Sequence, residues 1–141
     1  MSGKNTRAFL DANTILCGLL FKGNEATLLE LGRVRAIEHV TNHIVMEEVS
    51  AVLKRKEFDH ILDEVKGLIK YLHACLSLMD NPSHETINQH FNLLNDKKDI
   101  PVALGAQHAD YLVTGDKELL EKIPNAITTR KLLEKTLPKS Q

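Results

Sequence analysis

Long apolar runs are missing from this chain. None approaches the ~20 residues that a membrane span needs, so no membrane insertion is expected. Cysteine is scarce: Cys17 and Cys75 stand far apart and in no metal-binding spacing. They read as reduced, buried thiols of a cytoplasmic protein, not as a disulfide framework. No secretory apolar region precedes the first strand-like run, which agrees with that compartment. Gly18, Gly23 and Gly32 form no phosphate-binding loop. The seven histidines are scattered without zinc spacing and read as surface or satisfied core residues. Charge of one sign is also lacking. The net charge is −1 from 18 basic and 19 acidic residues, and residues 1–70 carry ten of each, so there is no basic tail. Any affinity for a phosphate backbone must therefore come from local clusters or from a metal.

What is present is an ordinary globular composition, 43% hydrophobic and 26% charged over 141 residues. That is enough chain for one domain with a real core. With no repeat, low-complexity stretch or linker-like shift, residues 1–141 read as a single domain.

The patterns alternate. Strands are expected at about 7–10, 36–40, 76–79, 111–114 and 125–128. Helices are expected at about 14–20, 24–33, 42–55, 58–76, 84–94, 99–108, 117–122 and 130–137. Thr41-Asn42 supply the N-cap of the third helix. This alternation predicts an α/β fold, a three-layer α/β/α sandwich around a parallel sheet of four to five strands. Functional groups then gather beyond the carboxyl ends of the strands.

Asp11 and Asp116 fall on that side, each just past an apolar run. Both also suit helix N-caps. Glu48 is more telling. With Ile44 at 0° on a helical wheel, Glu48 falls at about 40° and Val52 at about 80°, inside a stripe of Ile44, Val45, Val49, Val52 and Leu53. A carboxylate there is expected to be paired or metal-bound. Glu47 at about 300° is expected to be solvated. Asp96 and Asp99 share a face at the start of the small-residue helix Ile100-Pro101-Val102-Ala103-Leu104-Gly105-Ala106, which is narrow enough to approach the sheet closely. Asp99 would then lie near the strand ends with Asp96 further out. Lys97-Lys98 flank these acids and read as a solvated charge run within reach of phosphate. Lys54-Arg55-Lys56 suits the end of the Glu48 helix. Carboxylates gathered at one point repel one another. A hard cation such as Mg²⁺ or Mn²⁺ relieves that repulsion, so the expectation is metal-dependent phosphate chemistry with Asp11, Asp99 and Asp116 within one cation's reach.

Four segments together resemble the PIN domain family, which includes the ribonuclease toxins of the VapBC toxin–antitoxin type. They are Phe9-Leu10-Asp11-Ala12-Asn13-Thr14-Ile15-Leu16, Glu47-Glu48-Val49, Asp99 to Ala106, and Ala109-Asp110-Tyr111-Leu112-Val113-Thr114-Gly115-Asp116. The resemblance covers nearly the whole chain. It implies Mg²⁺- or Mn²⁺-dependent phosphodiester cleavage, usually of RNA, leaving a 5′-phosphate and a 3′-hydroxyl. It also implies an acidic quartet of Asp11, Glu48, Asp99 and Asp116, with Asn13 and Thr114 as polar helpers and Asp96 as an extra acid. A small antitoxin protein is the partner the resemblance suggests.

Rival readings differ in the residues they need. An aspartate-nucleophile phosphatase with Asp11 attacking wants a second acid where Asn13 stands and another where Leu120 stands. A receiver domain wants an acid pair beside one strand-end Asp. A catalytically silent PIN-type module that only binds RNA or protein would not need the intact quartet. A homodimer or partner complex is expected as well, because residues 58–94 carry Leu72, Leu76, Leu78, Ile87, Phe91, Leu93 and Leu94 above one small sheet.

Overall fold

The computed structural model describes residues 5–55, 59 and 61–137. Five strands form one sheet: β1 (Arg7–Leu10), β2 (Glu38–Asn42), β3 (Leu76–Met79), β4 (Tyr111–Val113) and β5 (Ala126–Ile127). All pairings are parallel, in the order β3-β2-β1-β4-β5. The helices are α1 (Ala12–Leu20), α2 (Asn24–Arg33), α3 (His43–Leu53), α4 (Leu62–Cys75), α5 (His84–Gln89), α6 (Ile100–Gly105), α7 (Lys117–Lys122) and α8 (Thr129–Thr136).

Glycine contacts reveal the three layers. Phe9 pairs with Val40 and its neighbour Ala8 pairs with His39, so Phe9 and His39 point to opposite faces of the pleat. A Cβ on Gly32 of α2 would meet the His39 ring at 2.2 Å, whereas one on Gly105 of α6 would meet the Phe9 ring at 2.5 Å. Helices α2 and α6 therefore cover opposite faces, as the expected α/β/α sandwich requires. Small residues allow both approaches, and at α6 this is the close contact anticipated from the sequence. Among the described residues no helix is long and apolar enough to cross a membrane.

The glycines make a paired stability prediction. At Gly32 a Cβ would also stand 2.3 Å from the Cys75 carbonyl oxygen, which is backbone and cannot swing away. Gly32→Ala should cost about 1–3 kcal/mol net, since overpacking exceeds the gain in helix propensity. Gly67, in α4, has nothing within 4 Å of its Cβ position. There the same change should stabilise by about 0.5–1 kcal/mol. Thermal melts of the two variants, moving in opposite directions from the parent, check both.

Several boundaries differ from the expected ones for local reasons. The Ala36 and Ile37 amides both donate to the Leu31 carbonyl, with Arg35 in the left-handed region at φ 65. They finish α2, so β2 begins at Glu38 and takes in Thr41 and Asn42. Asn42 still caps α3, accepting the Val45 amide at 3.0 Å. Helix α1 starts at Ala12 because Asp11 caps it. The helix expected over 84–94 stops at Gln89. Beyond it the chain closes in tight turns, and the Lys97 ammonium donates to the Phe91 and Leu94 carbonyls, 2.8 Å each, over the Phe91 ring. The segment expected as one helix over 99–108 is α6 with a 3-10 turn on either side, at 97–99 and 106–108. Lys56 and the expected helix start at about 58 lie outside the described residues.

Two burial expectations fail. Cys75 is buried but Cys17 is exposed, because it falls on the outer side of α1, away from buried Ile15 and Leu16. Leu72, Leu76 and Leu94 are buried, and Leu78, Ile87 and Leu93 pack against the core. Only Phe91 of that group is exposed, with Lys97 above it. Six of those seven residues thus pack within the chain, and among the described residues of 58–94 the large hydrophobics left exposed are Phe91 and Leu62 of α4, a smaller apolar surface than the homodimer expectation assumed.

Candidate metal-binding acidic cleft

Chain order dictates where a cleft can open. From β1 the chain steps to β2 and β3 on one side, and later returns to β4 and β5 on the other. Loops leaving β1 and β4 therefore diverge, and a crevice opens beyond their carboxyl ends. Asp11 follows β1 directly, and Asp116 follows β4 after Thr114-Gly115.

One hydroxyl ties these two acids together. Thr114, buried behind them, donates its Oγ1–H to Asp11 Oδ2 and accepts the Asp116 amide at 3.0 Å. Asp11 Oδ1 accepts the Thr14 amide at 2.9 Å, and Asp116 Oδ1 accepts the Leu119 amide at 2.9 Å. Each aspartate is thus a helix N-cap, and its place on the cleft wall comes in addition. The capping and site readings of these residues are compatible.

Asp99 differs. It precedes α6 but caps no backbone amide, which leaves its carboxylate uncommitted. Its pKa is raised from 3.8 to about 6, first by burial and then by the negative charges of Asp96, Asp116, Asp11 and Glu48. Asp96 sits further out, exposed, and caps the 97–99 turn through the Lys98 amide at 3.1 Å. Asn42 holds this segment to the Glu48 helix. Its Nδ2–H donates to the Pro101 carbonyl at 3.2 Å while its Oδ1 caps α3. Sequence reading found the cap on α3 but missed the bond to α6.

The cleft, about 160 Å³, is lined by Asp11, Ala12, Asn13, Val45, Glu48, Asp96, Lys98, Asp99, Val102 and Asp116. All four expected acids face it, with Asp96 and Asn13; Thr114 supports the wall from behind. Lys98 is the one basic lining residue among those described, and Lys97 is turned away on its carbonyls. Glu118 was not anticipated. Its carboxylate accepts the Asn95 amide at 2.7 Å and the Asp96 amide at 3.1 Å, and pairs with Lys122 at 2.8 Å. The Lys122 hydrogen bond, followed by the two amides, brings Glu118 down to about 2.

Two expectations about the acids need correction. Glu48 is exposed, not buried. The buried residues of α3 are Val45, Met46, Val49 and Leu53; they centre on about 150° of the same wheel, which leaves Glu48 on the rim, where the helix meets the cleft. Glu47 borders a separate shallow depression with His43, Met46, Ser50, Ala51 and Lys54. Further, among the described residues no three histidine, cysteine, aspartate or glutamate side chains stand close enough together to hold one cation. Three of them would hold one ion only after their side chains turn toward one another. The donor set nevertheless fits Mg²⁺ or Mn²⁺, being all hard oxygen, and a cation there would favour the charged form of Asp99, which burial first and the neighbouring acids second disfavour.

A family model described as PIN domain matches residues 7–118. The structure is similar to that of PAE2754 from Pyrobaculum aerophilum, with 19% identity and a TM-score of 0.67, covering 93% of this chain and 95% of that one. It is also similar to VapBC2 from Rickettsia felis, solved with a DNA fragment from its promoter, with 19% identity and a TM-score of 0.62, covering 87% of this chain and 97% of that one. At that identity the likeness is one of fold. No curated protein matches the chain.

Proposed function

The chain belongs to the PIN domain family, and from that premise we propose that it is a metal-dependent ribonuclease that hydrolyses RNA phosphodiester bonds. The observation that carries this reading is the cleft at the β1–β4 divergence, where five carboxylates and one ammonium face a single cavity. Asp11, Asp99 and Asp116 would hold Mg²⁺ or Mn²⁺, with Glu48 completing the set from the rim. Bound there, the ion supplies a more acidic water and offsets charge on the phosphoryl group. Thr114 holds the Asp11 carboxylate against the backbone of Asp116. Asn13 offers an amide at the cleft mouth, and Lys98 offers a positive charge to a phosphate oxygen. A small antitoxin protein is the partner proposed, supported by the fold shared with VapBC2.

The test is cleavage of single-stranded RNA with Mg²⁺ or Mn²⁺, then with excess chelator. Cleavage that disappears on chelation and returns with metal supports the reading. RNA binding without cleavage at any metal concentration would favour a silent binding module. Thr114→Val keeps the volume but removes the hydroxyl that serves both aspartates. It should lower metal-dependent cleavage by about 10–100-fold, the range for losing an orienting partner. Cleavage rates of Thr114→Val and Thr114→Ser, the latter near the parent value, check it.

A further inference from the structure

We propose that Glu118 is a positioning residue for the acidic cleft, holding the Asp96–Asp99 segment at a fixed distance from Asp116. The inference rests on the metal-dependent reading above. Glu118 follows Asp116 by two residues on α7, yet its carboxylate bonds to a segment more than twenty residues earlier in sequence, at Asn95 and Asp96. It uses one oxygen for each of two successive amides, which fixes orientation as well as distance. From there the hold is passed along the turn. The Asp96 carbonyl accepts the Asp99 amide at 3.2 Å, and the Asp96 side chain accepts the Lys98 amide. Asp116 is fixed at the other end by its own cap on α7. One carboxylate thus connects the two cleft walls that carry Asp116 and Asp99, without itself lining the cleft. Carboxylates that repel one another need such a brace, because nothing in their own interaction keeps the backbone segments that carry them side by side.

The Lys122 ammonium on the same carboxylate comes from the same helix, as an i,i+4 pair, and so ties nothing across the cleft. That difference gives the control. Mn²⁺ binding is measured by electron paramagnetic resonance of the free ion, alongside kcat and KM for a single-stranded RNA and a thermal melt. Glu118→Ala should weaken Mn²⁺ binding by about 10-fold or more and lower kcat with KM for RNA little changed. Glu118→Gln keeps one acceptor oxygen and should fall between parent and Glu118→Ala. It also carries the test should Glu118→Ala fail to fold. Lys122→Ala should bind Mn²⁺ like the parent. A merely structural role would lower the melting temperature and leave Mn²⁺ affinity of the folded variants unchanged, which would overturn the inference. A parent protein that binds no Mn²⁺ and cleaves no RNA would overturn the nuclease reading itself, and this inference with it.

Discussion

Asp11→Asn should abolish metal-dependent RNA cleavage, by about 10³-fold or more, while the fold survives. Asparagine keeps the shape and one acceptor oxygen, so the cap on the Thr14 amide persists. Its amide can donate to the Thr114 hydroxyl, which the aspartate now accepts from. What disappears is the negative charge of the acid that sits deepest among the cleft acids, at 8% exposure. A cation there loses a ligand that supplies charge, and electrostatic stabilisation in a partly closed site is the largest single contribution to such a reaction. Stability should hold or rise, because one of several repelling carboxylates is gone. Cleavage assays with Mg²⁺ and with Mn²⁺, beside a thermal melt, check both halves. An Asp11→Asn protein that cleaves RNA like the parent would mean the metal mechanism is wrong.

The second large effect concerns Asp99 and is readable in stability as well as activity. Its carboxyl titrates near 3.8 when unfolded and near 6 in the fold, pushed up first by burial and then by the surrounding acids. Between those values the folded chain binds more protons than the unfolded one, so this group's contribution to stability falls as pH rises through that window. Above pH 6 the whole penalty is present; near pH 4 it has vanished. Asp99→Asn removes it and gives up no capping bond. The metal-free variant should therefore melt above the parent at pH 7.5 and level with it near pH 4. Asp99 is only half-buried, so solvent screening leaves about 1 kcal/mol of the shift, a few degrees in Tm. Cleavage should be lost in the same variant. Conversely, Mn²⁺ should raise the parent's Tm more at pH 7.5 than at pH 5, because proton and metal compete for Asp99. Equal melting curves for parent and variant across this range would contradict the crowding of charge at Asp99.

These effects fall on residues that differ in how visible they are in sequence. Alternating apolar runs separated by capping residues determined the α/β class, the parallel sheet and the side of it on which Asp11 and Asp116 lie. Period and cap chemistry are local, and tertiary packing did not override them. The small residues of the Asp99 helix likewise announced its close approach to β1, which Gly105 makes against Phe9.

Tertiary structure decided what depends on two segments meeting. The angle of Glu48 on its helix was calculable from sequence, but the centre of the buried stripe was not. That centre depends on how α3 leans on the sheet, and it left Glu48 on the rim. Cys17 and the apolar residues of 58–94 depended in the same way on which helix faces were covered. Glu118 had no local signal at all. A glutamate followed by lysine four residues later on a short helix reads as a solvated pair, and its bonds to Asn95 and Asp96 exist only once the loops beyond β3 and β4 are brought together. The same holds for the elevated pKa of Asp99, since its burial, and after that the repulsion from the other carboxylates, exist only once segments far apart in sequence are packed together.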